Sequence, residues 1–315
     1  MGSPARLSLR HALALGLAHG PTELLPISSS AHTILIPFLA GWPYGELDPE
    51  LRKSFEVALH AGTAAALLVD LSSVESHPAL GAVLQRLAPP RRGWTGSDHH
   101  PASGLPGSAT APADFSTRQA LLVVLSFIPP AVVGYTFEQP LQRRLSGPST
   151  IVAGLLLGGA AMALADARIP DGTRTLEQAS ALDGLLFGLA QTLALIPGVS
   201  RSGAVLTAAR ARGFSRSDAH MLARRTGLPV ILGAGALKTG RLLQDGAAGG
   251  TPISGGRALL LGGGASFLST LAATRLLRRA RHAQPAPALL PYALYRGLLA
   301  SLMIRRLRRE HNRGA

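Results

Sequence analysis

Cysteine is missing from all 315 residues. That removes disulfides, thiolate chemistry and cysteine-bound metals from the chemistry open to this chain. Aromatic residues are scarce at 4%, and acidic residues number 17 against 31 lysines and arginines. Charge as a whole is thin, at 15% of residues against roughly 25% in a soluble domain, while 47% are hydrophobic. Mean hydropathy reaches only +0.25, because arginine-rich flanks and a polar loop dilute the apolar spans. The net charge of +14 rests almost wholly on arginine, clustered at 143–144, 210–216, 275–281 and 305–313 beside apolar stretches. This placement suits loops flanking membrane helices and anionic headgroups, so membrane lipids are expected as partners and nucleic acid is not. The first twenty residues hold a short apolar core that runs straight into polar sequence, and are read as part of the mature chain.

What is present stands out against that background. Two segments look like copies of one device, LPISSSAH at 25–32 and IPGVSRSGA at 196–204. Each sets a proline in an apolar stretch and follows it with serines, and the second adds Arg201. Helix-breaking polar sequence at membrane depth is tolerated only where it is buried in protein or lines a wet cavity. Paired interruptions in two halves of a chain point to a site near the bilayer midplane.

Helices are expected at about 7–18, 31–41, 54–71, 118–137, 149–167, 181–195, 202–212, 219–242, 256–277 and 288–304. Three of them, 118–137, 149–167 and 256–277, approach the roughly 20 residues that cross hydrocarbon. The short ones come in pairs hinged at the proline–serine segments, as two re-entrant helix pairs would. The expected fold is an all-α integral membrane protein, one polytopic domain over 1–315. A first repeat covers about 1–140 and a second about 149–305, with a basic tail at 305–315. Residues 72–116, rich in Ser, Pro, Gly, His and Arg, read as a solvent loop with little fixed structure. His99 and His100 in it are poor metal ligands for that reason. Gly154, Gly158, Gly159, Ala160 and Ala161 are spaced to let helices approach closely.

Polar groups inside apolar sequence are costly, and each is a functional candidate. His19 and Glu23 stand four apart and share a helix face; Glu56 and His60 repeat the spacing. Ser29 and His32 are three apart, which sets the imidazole over the hydroxyl if a helix starts at the serines. Such a start offers free N–H groups and a positive dipole end to an anion, and the same holds after Pro197. Arg201 has the planar fork that grips phosphate. The pieces describe a pocket for a phosphorylated lipid headgroup. Ser29 would attack, His32 take its proton, and Glu23 orient the histidine or hold a divalent cation. Arg201 would neutralise charge on the phosphoryl group. Ser28, Ser30, Ser200, Ser202, Gly203, His19 and His60 would complete the lining. Blander readings weigh against each residue alone: serine caps, a hydrogen-bonded histidine, a snorkelling arginine. Their convergence in two related segments favours a site.

At these residues the chain resembles the undecaprenyl-diphosphate phosphatase family, also called the bacitracin-resistance protein family. Its first signature, roughly EGxTEFLPxSSTGH, corresponds to HGPTELLPISSSAH at 19–32, and its PGxSRSG is intact at 197–203. FEVALHAG at 55–62 and LPYALYR at 290–296 are similar to two shorter family motifs, FEVxxQxG and PFAxYR. The resemblance implies inverted-topology repeats, a multi-pass protein of the bacterial cell membrane and a site facing outward. It implies hydrolysis of a polyprenyl diphosphate to the monophosphate with help from Mg²⁺ or Ca²⁺. It matches Glu23, Ser29, His32 and Arg201 to the family's glutamate, proposed serine nucleophile, motif histidine and phosphate-clamping arginine. A homodimer is left open. The chain departs from the pattern at His19 (a glutamate in the family), Ala31 (glycine) and His60 (glutamine), and it adds Arg224 and Arg225. A lipid-phosphate transporter using the same pocket, or a hydrolase of another isoprenoid diphosphate, are the competing readings.

Overall fold

The computed structural model describes residues 6–72, 117–145, 147–169, 172–247, 255–283 and 286–314. Beyond Ser72, the expected solvent loop and its His99 and His100 lie outside the described residues. Ten α-helices carry the described chain: α1 Leu9–Leu24, α2 Ser29–Ala40, α3 Pro49–Ser72, α4 Thr117–Leu145 and α5 Pro148–Arg168. They continue as α6 Ala181–Thr192, α7 Arg201–Ala211, α8 Arg216–Ala247, α9 Gly256–Ala283 and α10 Leu290–Gly314. No strand is formed among the described residues, only an isolated bridge between Arg174 and Phe214.

The helices run longer than hydropathy alone implies, and caps explain several of the boundaries. α3 starts at Pro49 because Asp48 Oδ1 accepts from the N–H groups of Glu50 and Leu51 at 3.0 Å each. α8 starts at Arg216 behind Ser215, whose Oγ accepts from Asp218 N at 3.1 Å. α1 continues six residues past its expected end, through Pro21, to Leu24. Thr22 there returns its hydroxyl to the carbonyls of Ala18 and His19 at 2.9 and 3.0 Å. The extension places His19 and Glu23 on the last turns of a helix. The basic stretch from residue 305 continues α10 to Gly314.

Three helices are long and apolar enough to cross a membrane: Thr117–Phe137, Pro148–Arg168 and Gly256–Ala280, with mean hydropathies of 2.0, 1.7 and 1.2. Leu9, Leu13 and Leu17 on α1, Leu260, Leu268 and Leu276 on α9, and Leu294 and Leu298 on α10 are all exposed. Recurring every four or eight residues, they form stripes that suit hydrocarbon rather than water. This is a membrane protein.

Packing is set by small residues and by four apolar clusters. α9 is flanked by α1 and α3, and α4 by α6 and α8; α5 lies on α10. Gly16 and Gly20 face α9 so closely that a Cβ would fall 2.4 Å from Gly262 O or Thr270 N. On α5, Gly154 makes room for the Pro197–Gly198 break, Gly158 for the Arg296 side chain and Gly159 for Ala293 of α10, whereas Ala160 and Ala161 are exposed. Ala31 and Leu35 of α2 are buried with Ile151 and Leu155 of α5 and Met303 of α10. The short helix α2 is therefore held inside the bundle, not on its surface.

Part of the arginine surplus has a purpose other than headgroup contact. Arg210 is fully buried, with Nε 2.9 Å from Asp166 Oδ1, and Arg216 reaches the same carboxylate at 2.9 Å. Arg174 and Arg212 both pair with buried Asp183 at 2.8 Å. These pairs tie the turn between α7 and α8 to the end of α5 and the start of α6. Both carboxylates are desolvated, and each is satisfied by two guanidiniums.

Candidate active site

Each proline–serine segment breaks a helix and starts another. After Leu24 the chain turns extended at Leu25, passes Pro26, and reaches Ser28 in the left-handed region at φ 71°. Ser28 caps α2, its Oγ accepting from Ala31 N at 3.4 Å and its carbonyl from His32 N at 3.3 Å. In the second half, Pro197 and Gly198 lead to Ser200, which caps α7 by accepting from Gly203 N at 3.2 Å. Gly198 sits at φ 94°, and a Cβ on it would lie 2.4 Å from Ile151 O. Gly198→Ala is therefore expected to cost more than about 1 kcal/mol of stability and to impair function, as thermal unfolding in detergent will report.

The two tips meet. Ser202 Oγ donates to Leu25 O at 3.2 Å, across from one half to the other. Arg296 of α10, 1% exposed, inserts behind both tips. Its guanidinium donates to Gly198 O at 3.0 Å and Pro26 O at 3.4 Å, and to Gly154 O and Leu155 O of α5 at 2.9 and 3.2 Å. One side chain thus clamps both breaks to the same scaffold.

Glu23 stands where the tips face one another. Ser29 Oγ donates to one of its carboxylate oxygens, and Arg201 Nη2 donates to the other. The carboxylate is 7% exposed and the guanidinium 15%, so the pair is largely sheltered from bulk solvent. Of the residues singled out in the sequence, Ser29, Glu23 and Arg201 are in contact here, and the expected base His32 is not among them.

His32 takes a different position from the one expected. Its Nδ1 donates to Ser28 O at 2.7 Å and its Nε2 pairs with Tyr295 OH at 2.8 Å, the two rings stacking at 5.7 Å. Four residues on from the cap carbonyl, the imidazole folds onto that carbonyl and not over Ser29. The group bonded to Ser29 is Glu23. Ser30 is exposed and touches Ser28 Oγ at 3.2 Å, outside the contact of Glu23 with Arg201. Ser200 and Ser202 are 3.2 Å apart beside Arg201, and Gly203 packs against Ser200 and Arg296. His19 and His60 lie on the other side of Glu23, their rings 4.8 Å apart and near perpendicular.

A cavity of about 70 Å³ opens from this point. Glu23, Arg201, Ser202, Arg224, Asp70 and Thr274 supply its polar lining, and Leu24, Leu67, Leu228, Ile231 and Leu277 its apolar walls. It offers a charged anchor continuous with a greasy slot. Arg224 lines it, while Arg225 turns to Gln119 Oε1 at 3.5 Å.

A family model described as bacitracin resistance protein BacA matches residues 12–302. The chain belongs to this family. It is 35% identical over 305 residues to an undecaprenyl-diphosphatase of Geobacter sulfurreducens, covering 95% of this chain and 98% of that one. A Geobacter metallireducens protein of the same name is 37% identical over 268 residues, covering 85% and 87% of the two chains. One from Chromohalobacter salexigens is 32% identical over 298 residues, covering 93% and 97%.

The family match makes the residues that sequence reasoning passed over more informative. Tyr295 and Arg296 fall in the last motif, but nothing in the sequence says which groups they meet. Only the fold shows that they reach His32 and both tips. Asp70, on the cavity wall and paired with Arg278, gave no signal beyond being acidic. The Mg²⁺ or Ca²⁺ implied by the resemblance fits the donors poorly. Those ions take shells of oxygens, whereas the metal-competent group among the described residues is one carboxylate, Glu23, with two imidazoles, His19 and His60.

Proposed function

We propose that this chain is a membrane phosphatase that hydrolyses undecaprenyl diphosphate to undecaprenyl phosphate and inorganic phosphate, so recycling a cell-wall lipid carrier. The carrying observation is the double grip on Glu23, by Ser29 from its own half and Arg201 from the other, at the mouth of an apolar slot. The relatives' shared name supplies the substrate.

The arrangement supports a sequence of steps. The diphosphate enters with its prenyl chain along Leu67, Leu228 and Ile231, and Arg201 leaves Glu23 to pair with the terminal phosphoryl oxygens. Glu23, now bonded to Ser29 alone, accepts the hydroxyl proton as Ser29 Oγ attacks the terminal phosphorus. The bridging P–O bond breaks and undecaprenyl phosphate departs. Water then attacks the phosphoserine, the Ser29 Oγ–P bond breaks as Glu23 returns its proton to Ser29 Oγ, and the water's oxygen and protons leave with inorganic phosphate. Arg201 offsets charge on the equatorial oxygens throughout. His32, held by Ser28 and Tyr295, fixes the start of α2 and with it the direction of Ser29.

Contacts support two inverted repeats in one domain spanning the membrane several times, about 1–140 and 149–305. Exchanging α1 with α6, α2 with α7, α3 with α8, α4 with α9 and α5 with α10 maps most of the helix packings onto one another. The α1–α9 pair becomes α6–α4, and α3–α9 becomes α8–α4. Each tip then reads as a re-entrant hairpin, and the family resemblance implies that a lipid diphosphate is reached from the outer leaflet.

Purified protein in detergent is expected to release phosphate from undecaprenyl diphosphate, and more slowly from a short prenyl diphosphate. Ser29→Ala should lower the rate by at least about 100-fold. A Ser29→Ala variant as fast as wild type would assign the attack to water, and a wild type that releases nothing would end the phosphatase reading.

A further inference from the structure

The region behind Glu23 holds more than a phosphatase of serine, glutamate and arginine needs. His19, Glu23 and His60 each offer one ligand atom, and these atoms lie within 4.8 Å of one another. Two of the three positions, His19 and His60, are those at which the chain departs from its family's pattern.

Proton bookkeeping shows which ring nitrogens carry a lone pair. His60 Nδ1 is 2.7 Å from Glu56 O, a carbonyl that only accepts, so Nδ1 carries the proton and Nε2 the lone pair. His19 Nδ1 lies 3.1 Å from Thr63 Oγ1 and 3.3 Å from Ser266 Oγ. Ser266 gives its proton to Leu59 O at 2.8 Å, and Thr270 gives its own to Ser266 O at 2.7 Å. Thr63, 3.0 Å from Ser266 Oγ and 3.2 Å from Thr270 Oγ1, is the remaining hydroxyl that can donate between them. His19 Nδ1 donating into it makes one more hydrogen bond than the other tautomer, whose Nε2–H would be a buried donor with no acceptor. His19 Nε2 is then a lone pair, and it is buried with no hydrogen-bond partner, on a residue 2% exposed. A buried acceptor without a donor costs free energy unless something binds it.

We propose that His19, Glu23 and His60 form a binding site for a borderline transition-metal ion of the Zn²⁺ class, in place of the Mg²⁺ or Ca²⁺ implied for the family. Two imidazoles and one carboxylate with a fourth position open is a donor set that Zn²⁺ accepts in hydrolytic sites. Imidazole suits Zn²⁺, Co²⁺ and their neighbours, while the hard ions prefer oxygen. The supporting shell is present: each ring's outer nitrogen is anchored, His60 by a carbonyl and His19 by the hydroxyl relay. Glu23 keeps a second lone pair on each oxygen beside its bonds to Ser29 and Arg201. Ligand atoms at about 2.1 Å from one ion stand near 3.4 Å apart, so the three side chains close by rotamer adjustment without movement of helices.

The test is metal binding by the full chain in detergent, free of any polyhistidine tag and without substrate. Co²⁺ is titrated in and read by its visible d–d absorption, then displaced by Zn²⁺. The expected result is one tight ion per chain, displaced by Zn²⁺ but held against a roughly thousandfold excess of Mg²⁺ or Ca²⁺. His60→Gln is expected to weaken Co²⁺ binding about 100-fold, and His19→Glu to move preference toward Mg²⁺ and Ca²⁺. Absence of Co²⁺ absorption in the wild type overturns the proposal, as does displacement by equimolar Mg²⁺. Unchanged affinity in His60→Gln overturns it too. Should a variant fail to fold, the wild-type spectrum and competition decide alone. Binding is read without turnover, so a protein that hydrolyses lipid but binds no Co²⁺ sinks the metal site and spares the phosphatase reading. The converse result spares the site and sinks that reading.

Discussion

Arg201→Ala is expected to lower phosphate release from undecaprenyl diphosphate by about 1,000-fold or more, the scale on which a guanidinium supports phosphoryl transfer. The residue is the cation that α7 delivers to Glu23 across the junction of the two halves. Alanine removes the partner of the terminal phosphoryl group and leaves a sheltered carboxylate facing it, so like charges meet where opposite charges met. Arg201→Lys should recover little. A single ammonium cannot span two phosphoryl oxygens as a planar fork does, and its shorter reach from the first turn of α7 leaves Glu23 unpaired. Steady-state phosphate release with thermal unfolding as control separates loss of chemistry from loss of fold. Activity of Arg201→Ala within tenfold of wild type would take Arg201 out of the site.

What was legible beforehand has a common cause. Serines, glutamate and arginine set in apolar sequence are expensive, so their presence at 23–32 and 197–203 announces a use even in a single chain. The all-helical architecture follows from the same economy, because a lipid-facing backbone must satisfy itself. Partners at a distance were not legible. A three-residue spacing pairs His32 with Ser29, yet the ring obeys its cap carbonyl and Tyr295, which lies 263 residues away. Arg210 and Arg212 were read as headgroup contacts because sequence shows an arginine's neighbours, not the Asp166 and Asp183 that fold against it. Helix ends at Pro49 and Arg216 were missed where polar caps, not hydropathy, set the boundary.

Arg296 is the residue whose importance depends most on the fold, and its removal carries the second large expectation. Arg296→Ala should destabilise the protein by about 3 kcal/mol or more and reduce phosphate release in parallel. The guanidinium serves four carbonyls at once, and those of Pro26 and Gly198 lie in the breaks themselves, where no helix supplies an alternative donor. Without it both tips loosen, and Ser29 and Arg201, each within three residues of a served carbonyl, lose their common reference. Lysine would not restore the set, since its donors diverge from one point and reach only part of it. Gly158 gives an independent handle: a Cβ there would fall 2.4 Å from Arg296 Nη2 and push the guanidinium off its acceptors. Gly158→Ala should therefore reproduce a weaker form of the same defect. Combined with Arg296→Ala it should cost clearly less than the sum, because the side chain it displaces is already gone. Additive losses in the double variant, read as midpoint shifts in thermal unfolding, would show that Arg296 is not the piece holding the two tips in register.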